Sequence, residues 1–206
     1  MCIMHVNHYL VVAGSTRPMR RSPAIAQWIA TLGDELGNGS FRVIDLRGLG
    51  LGFDDEPGIP AMGGYGCAST RAWSQLVQDA SGVVFVTPQY NWGYPAPLKN
   101  AIDHLYREWR GKPALIVTYG SHGGGKCGAQ LREVLRGMGL NLTDAMPGLR
   151  LARTRIEAND GEVDPDLDFG AQREELMDAL RALVALSESP PAGRGAEGSS
   201  ATDQGS

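Results

Sequence analysis

Three short stretches of this chain contain almost no polar residue: Tyr9-Leu-Val-Val-Ala13, Val83-Val-Phe-Val86 and Ala114-Leu-Ile-Val117. A strand with one wet face alternates polar and apolar residues. These do not, so each reads as a strand buried on both faces. Phe41 to Leu46 reads as a further strand, and Leu140 to Ala145 as a candidate fifth. Helical spacing fills the gaps between them: Ile25, Trp28, Ile29, Leu32 and Leu36; Trp73, Leu76, Val77 and Ala80; Leu131, Val134, Leu135 and Met138. The order βαβαβαβαβα implies an α/β fold, a five-stranded parallel sheet between two helical layers. Right-handed crossovers leave few topologies, and the strand order 2-1-3-4-5 is one of them.

Element boundaries follow from punctuation. Ser22 is a candidate N-cap with Pro23 in the first turn, and Gly37 and Gly39 stop that helix. Pro97 opens a helix expected to carry Leu98, Ala101, Ile102, Leu105, Tyr106 and Trp109 inward. Asn159-Asp-Gly161 signals a tight turn, and a last helix is expected from about Phe169 to Leu186. Residues 48–66 carry seven glycines and read as a long irregular loop. Residues 1–186 are thus expected to form one domain. From 187 to 206, 11 of 20 residues are Gly, Pro or Ser and none is more apolar than Ala, the composition of a disordered tail.

Several function classes are disfavoured. A net charge of −4 gives no basic surface for a nucleic-acid backbone, so no nucleic-acid partner is expected. No apolar stretch reaches the roughly 18–20 residues of a membrane span. The N-terminal residues do not read as a signal peptide, so a cytoplasmic location is expected. Cys2, Cys67 and Cys127 are odd in number and lack the C-x-x-C spacing, and the four histidines show no ligand pattern. Neither a disulfide framework nor a metal site is expected.

In such a sheet, ligands bind beyond the carboxyl ends of the strands. Three segments there are unusual. Gly14-Ser-Thr-Arg-Pro-Met-Arg-Arg-Ser22 sets hydroxyls and an arginine before a helix, as an anion requires. Ser15, Thr16 and Ser22 can donate hydrogen bonds and Arg17 a charge-assisted one, which suits a phosphate monoester. Read alone, the loop is equally a polar turn with a good helix cap. Thr87-Pro-Gln-Tyr-Asn-Trp-Gly-Tyr-Pro95 makes a stiff wall for a flat ring or, read alone, a cover for the core or a subunit interface. Tyr119-Gly-Ser-His-Gly-Gly-Gly-Lys126 lets backbone come close to a ligand or simply turns into a helix. A flat aromatic ligand with a phosphate tail fits all three.

Gly14-Ser-Thr-Arg17 with Ser22, Thr87-Pro-Gln-Tyr-Asn91, Pro97-Leu-Lys-Asn-Ala-Ile-Asp103, Gly111-Lys-Pro113 and Tyr119-Gly120 with Gly124-Gly125 resemble the NADPH-dependent FMN reductase family, from about Tyr9 to Leu186. The resemblance implies a flavodoxin-like three-layer fold, bound FMN, and NADPH or NADH as cosubstrate. It implies a small-molecule electron acceptor such as a flavin or quinone, and a homodimer or homotetramer. It also implies that Ser15, Arg17 and Ser22 hold the FMN phosphate. Pro88, Gln89, Tyr90 and Asn91 would line the isoalloxazine, and Ser121, Gly123 and Gly124 would pass its other side. Asn100 and Asp103 would lie on an interface helix. The chain departs from the family at Gln89, where Glu is usual, at the bulky Trp92, and at His122 in the third loop. His122 is the one candidate proton donor, although a lone histidine needs a partner to act as one.

Two other readings stay open: an electron carrier of the same fold, and a flavoprotein reductase dedicated to one metabolite. A phosphoacceptor regulatory domain is disfavoured, because the ends of the first and third strands carry Gly14-Ser15 and Thr87-Pro88 instead of an acidic cluster.

Overall fold

A computed structural model describes residues 7–189. Its strands are β1 (His8–Ala13), β2 (Ser40–Asp45), β3 (Gly82–Pro88), β4 (Pro113–Gly120), β5 (Asn141–Leu142) and β6 (Gly148–Arg150). Its α-helices are α1 (Ser22–Glu35), α2 (Ala68–Asp79), α3 (Ala96–Asp103), α4 (Gly125–Gly137), α5 (Arg153–Ala158), α6 (Pro165–Phe169) and α7 (Arg173–Glu188). All pairings between strands are parallel and the order is β2-β1-β3-β4-β5, as expected of the flavodoxin-like sheet.

The sheet is buried on both faces because its strands are apolar on both. All seven residues of β3 are buried. Side chains of period two divide between two cores. Tyr9, Val11, Val84, Val86, Leu115 and Val117 pack with Ile25, Ile29 and Leu32 of α1 and Leu176, Leu180 and Leu183 of α7. Leu10, Val12, Val83, Phe85, Ala114 and Ile116 pack with Trp73 and Val77 of α2, Leu98 and Ile102 of α3, and Leu131 and Leu135 of α4.

Four expectations need correction. The fifth strand is two pieces: β5 pairs with the start of β4, and β6 pairs with its end. Between them Pro147 lends only its carbonyl, to Thr118 N at 3.0 Å, since it has no N–H to give. The helix opened by Pro97 stops at Asp103, and Arg107–Trp109 form a separate 3-10 turn. Phe169 ends α6, and the last helix begins only at Arg173 and runs to Glu188. Ser22 is the first helical residue and not the cap; Arg21 is the cap and gives no side-chain cap bond. The remainder of the expected tail, from residue 190, lies outside the described residues.

Trp109 is fully buried all the same. It meets Trp73 edge-on at 6.0 Å between ring centres, lies 5.9 Å from Phe85, and donates Nε1–H to the Ile102 carbonyl at 2.9 Å. Trp109→Ala is expected to cost about 3–5 kcal/mol of stability. Denaturant titration checks this, and a loss below about 1 kcal/mol would mean the cavity collapses or floods without penalty.

Candidate active site

Gly14 decides where the first loop leaves the sheet. Its N–H donates to the Val86 carbonyl at 2.9 Å, and a Cβ at Gly14 would lie 2.9 Å from that same oxygen. No larger residue fits without moving β1 from β3. The loops after β1 and β3 therefore start side by side, and the loop after β4 starts next to them.

A cleft of about 300 Å³ opens there. Arg17, Arg20 and Arg21 line it from the first loop, Pro88, Gln89 and Tyr90 from the second, and Tyr119, Gly120 and Ser121 from the third. Leu151, Ile156 and Asn159 complete it. That fourth wall follows β6 and was not anticipated from the sequence. A second hollow of about 180 Å³ lies among Ser15, Thr16, Arg17, Tyr90 and Pro95 to Pro97. Arg17 and Tyr90 border both, with the Arg17 guanidinium carbon 3.6 Å from the Tyr90 ring centre.

The structure brings the expected residues of the three loops together but gives them different tasks. Ser15 and Ser22 are fully buried. Ser15 Oγ accepts the Arg17 N–H at 3.4 Å and lies 2.8 Å from the Tyr90 hydroxyl. Ser22 Oγ lies 2.6 Å from the Tyr119 hydroxyl, and burial raises the pKa of that phenol well above its ordinary value. Both serines therefore tie the first loop to the strand ends beside it. Thr16 is half-buried and Arg17 exposed, so these are the loop's open groups.

Gln89 N–H donates to the Tyr119 carbonyl at 3.2 Å, and its side-chain Oε1 accepts the Cys127 N–H at 3.3 Å. Asn91 and Trp92 are exposed at the tip of a tight hairpin. Gly123 and Gly124 are buried, with φ of +74° and +76°. A Cβ at Gly123 would lie 2.8 Å from the Gly148 carbonyl oxygen. A Cβ at Gly124 would lie 2.9 Å from Thr118 Cβ, so both glycines pack closely against the chain itself, while Tyr119, Gly120 and Ser121 border the cleft from that loop. His122 is exposed, and its ring partner among the described residues is the neighbouring Ser121 Oγ, 2.9 Å from Nδ1. Burial pushes the Cys127 thiol up to about 12, which makes it unreactive.

Arg20 and Arg21 are the residues that sequence reasoning passed over. Arg21 donates Nε–H to the Glu162 carbonyl at 2.9 Å, and Nη2–H to the Arg155 carbonyl and to Asp160 at 3.0 Å. It staples the fourth wall to the first loop. Arg20 pairs with Asp45 through Nη2, whereas its Nε and Nη1 are buried without a partner. A buried guanidinium N–H without an acceptor is costly, and a guanidinium has only donors to offer. Arg17, Arg20 and Arg21 all border the cleft, and a donor set of three guanidinium groups suits an anionic, acceptor-rich ligand such as flavin mononucleotide.

Residues 8–146 match the profile of a family described as NADPH-dependent FMN reductase. The chain is 46% identical over 184 residues to an NAD(P)H-dependent FMN reductase of Schizosaccharomyces pombe, covering 88% of this chain and 91% of the relative. It is 31% identical over 166 residues to a 2-hydroxy-1,4-benzoquinone reductase of a Burkholderia species, covering 76% of this chain and 85% of the relative. Among solved structures, a flavoenzyme NAD(P)H:acceptor oxidoreductase of Paracoccus denitrificans superposes with a TM-score of 0.68 at 24% identity, over 89% of this chain and 98% of that one, a likeness of fold.

Arg21→Ala should loosen the fourth wall alone. It strands acceptors at Arg155 and Glu162, each worth about 1–3 kcal/mol if they stay buried. Hydrogen exchange should quicken in 153–162 while amides of β1, β3 and β4 keep their protection. Unchanged exchange in 153–162 would show that the wall is held by something else.

Proposed function

The chain belongs to the NADPH-dependent FMN reductase family, and from that premise we propose that it passes two electrons from NADPH or NADH, by way of bound FMN, to a small quinone or flavin. The observation that carries this reading is a cleft lined by Arg17, Arg20 and Arg21 where the three expected loops converge.

FMN supplies the hydride-accepting ring, and the protein supplies binding, orientation and exclusion. Thr16, Arg17 and Arg20 hold the phosphate, with Ser15 and Ser22 behind them. With the Tyr90 hydroxyl donating to Ser15 Oγ, the serine proton is free for an anion. Pro88, Gln89, Tyr90 and Asn91 wall the ring on one side. On the other, Gly120 and Ser121 border it, held in place by the inward turn at Gly123 and Gly124. His122 receives no proton-transfer role, because no acidic partner orients it among the described residues.

Phe53, Ile59 and Met62 of the glycine-rich loop are 81%, 71% and 73% exposed. We read them as the surface that a second copy covers in a homodimer or homotetramer. Asn100 pins this loop, donating to the Gly52 carbonyl at 2.8 Å and accepting the Asp54 N–H at 3.0 Å. Among the described residues no helix is long and apolar enough to cross a membrane, and a cytoplasmic site of action, where nicotinamide donors are regenerated, suits the reaction.

Purified protein should be yellow or take up FMN, and NAD(P)H oxidation should need both FMN and an acceptor. Donor and acceptor take turns at the same flavin in this reading, so initial-rate plots should be parallel, as ping-pong kinetics require. Intersecting lines would mean that both substrates bind together and would refute the shared face.

Arg20→Ala and Arg17→Ala should each weaken FMN by about 1.5–3 kcal/mol, the worth of a hydrogen bond to a charged group, and riboflavin by far less. Titration by flavin fluorescence quenching measures both. Equal losses for the two flavins would remove these arginines from the phosphate.

A further inference from the structure

We propose that Trp92 and Lys126 form a stacking subsite for the flat aromatic acceptor beside the flavin cleft, so that this pair selects which acceptors are reduced. The inference rests on the FMN reductase reading for its substrate, but its geometry is independent of it.

Tyr90 and Gly93 exchange backbone hydrogen bonds of 2.9 and 3.0 Å, which leaves Asn91 and Trp92 as the two central residues of a hairpin turn. Both have positive φ, +47° for Asn91 and +74° for Trp92. Turns of this kind favour Asn followed by Gly. A tryptophan at the second position is strained, and observed strain of this sort clusters at working sites. The strain does not serve packing, because the indole is 59% exposed.

The ring is held in place nonetheless. Lys126 Nζ, from the first turn of α4, sits 3.0 Å from the ring centre and occupies one face. Gln89 Oε1 ties the same hairpin to α4 through the Cys127 N–H. A Cβ at Gly93 would come within 3.2 Å of Gln130 Oε1, so the hairpin lies close against that helix. The indole thus keeps more than half of its surface exposed, two residues from Tyr90, which lines the cleft. The exposed indole offers stacking to a planar ring. A quinone has such a ring. A compact inorganic acceptor has no flat face to use.

The test compares 1,4-naphthoquinone with ferricyanide on the FMN-loaded full chain. Trp92→Gly suits the turn and should fold at least as well as the parent, which a melting curve verifies. It should raise KM for the naphthoquinone about three- to tenfold, the size of one aromatic pair, and leave kcat, the ferricyanide reaction and FMN affinity unchanged. Trp92→Phe should restore most of the lost affinity. Lys126→Met, which releases the indole, should raise KM for the uncharged naphthoquinone. In protein without flavin, naphthoquinone should quench indole fluorescence saturably in the parent, and not linearly as random collision would, so the subsite can be judged even if FMN does not bind. Equal effects on both acceptors, an unchanged KM with linear quenching, or a change of oligomeric state in Trp92→Gly would each overturn the proposal. The last would give the indole to a contact between copies.

Discussion

The Gly14–Val86 contact is the point on which the site depends. β1 pairs with β2 on one side and β3 on the other, and from β3 the chain continues outward to β4. The connections therefore part at the β1–β3 seam, and a crevice opens where they diverge. A parallel sheet requires every connection to cross back over a face, so all the strands deliver their carboxyl ends to one edge. Gly14 lets the first loop turn off that edge without spreading the seam. Convergence of the three loops is then a consequence of topology and needs no attraction between them.

The strands were legible because burial on both faces leaves a local mark, an unbroken apolar run. The helices were legible in place but less so in length. Leu105 and Trp109 follow α3 at helical spacing and are both buried, yet α3 ends before Leu105, and Trp109 closes a separate 3-10 turn. Spacing records which side chains face the core, and two backbone paths deliver the same side chains there. Phe169 shows the same ambiguity at the start of the last helix, since α6 and α7 both press on α1. The fifth strand was half legible: short, edge-placed and interrupted, its two pieces are defined by whichever part of β4 each meets.

The candidate site was legible as segments but not as tasks. Residues 15 to 22 were readable as a hydroxyl- and arginine-bearing loop at the sheet edge, yet within it Arg17 stacks on Tyr90, Arg20 carries the partnerless nitrogens and Arg21 turns away to staple a distant wall. Three arginines within five positions differ only in which way the loop aims them, and composition holds no record of that. The fourth wall could not be read because Leu151, Ile156 and Asn159 carry no chemistry of their own. Their importance comes from β6 lying against β4, a pairing between residues about 30 positions apart.

The serines link the two halves of the site. Ser15 meets the Tyr90 hydroxyl and Ser22 meets the Tyr119 hydroxyl, so each tyrosine joins the first loop to a strand end that borders the cleft. Neither pair is a salt bridge, and each hydroxyl can donate or accept. An anion arriving at the loop can therefore take a serine proton's hydrogen bond while the tyrosine becomes the donor, with no bond lost. The Ser22–Tyr119 pair is buried, where an unmade hydrogen bond is expensive, so it fixes the start of α1 relative to β4. The Ser15–Tyr90 pair is only partly buried and shares its tyrosine with Arg17. One serine thus fixes the start of α1, while the other holds the loop at Tyr90 and leaves Thr16 and Arg17 as its open groups.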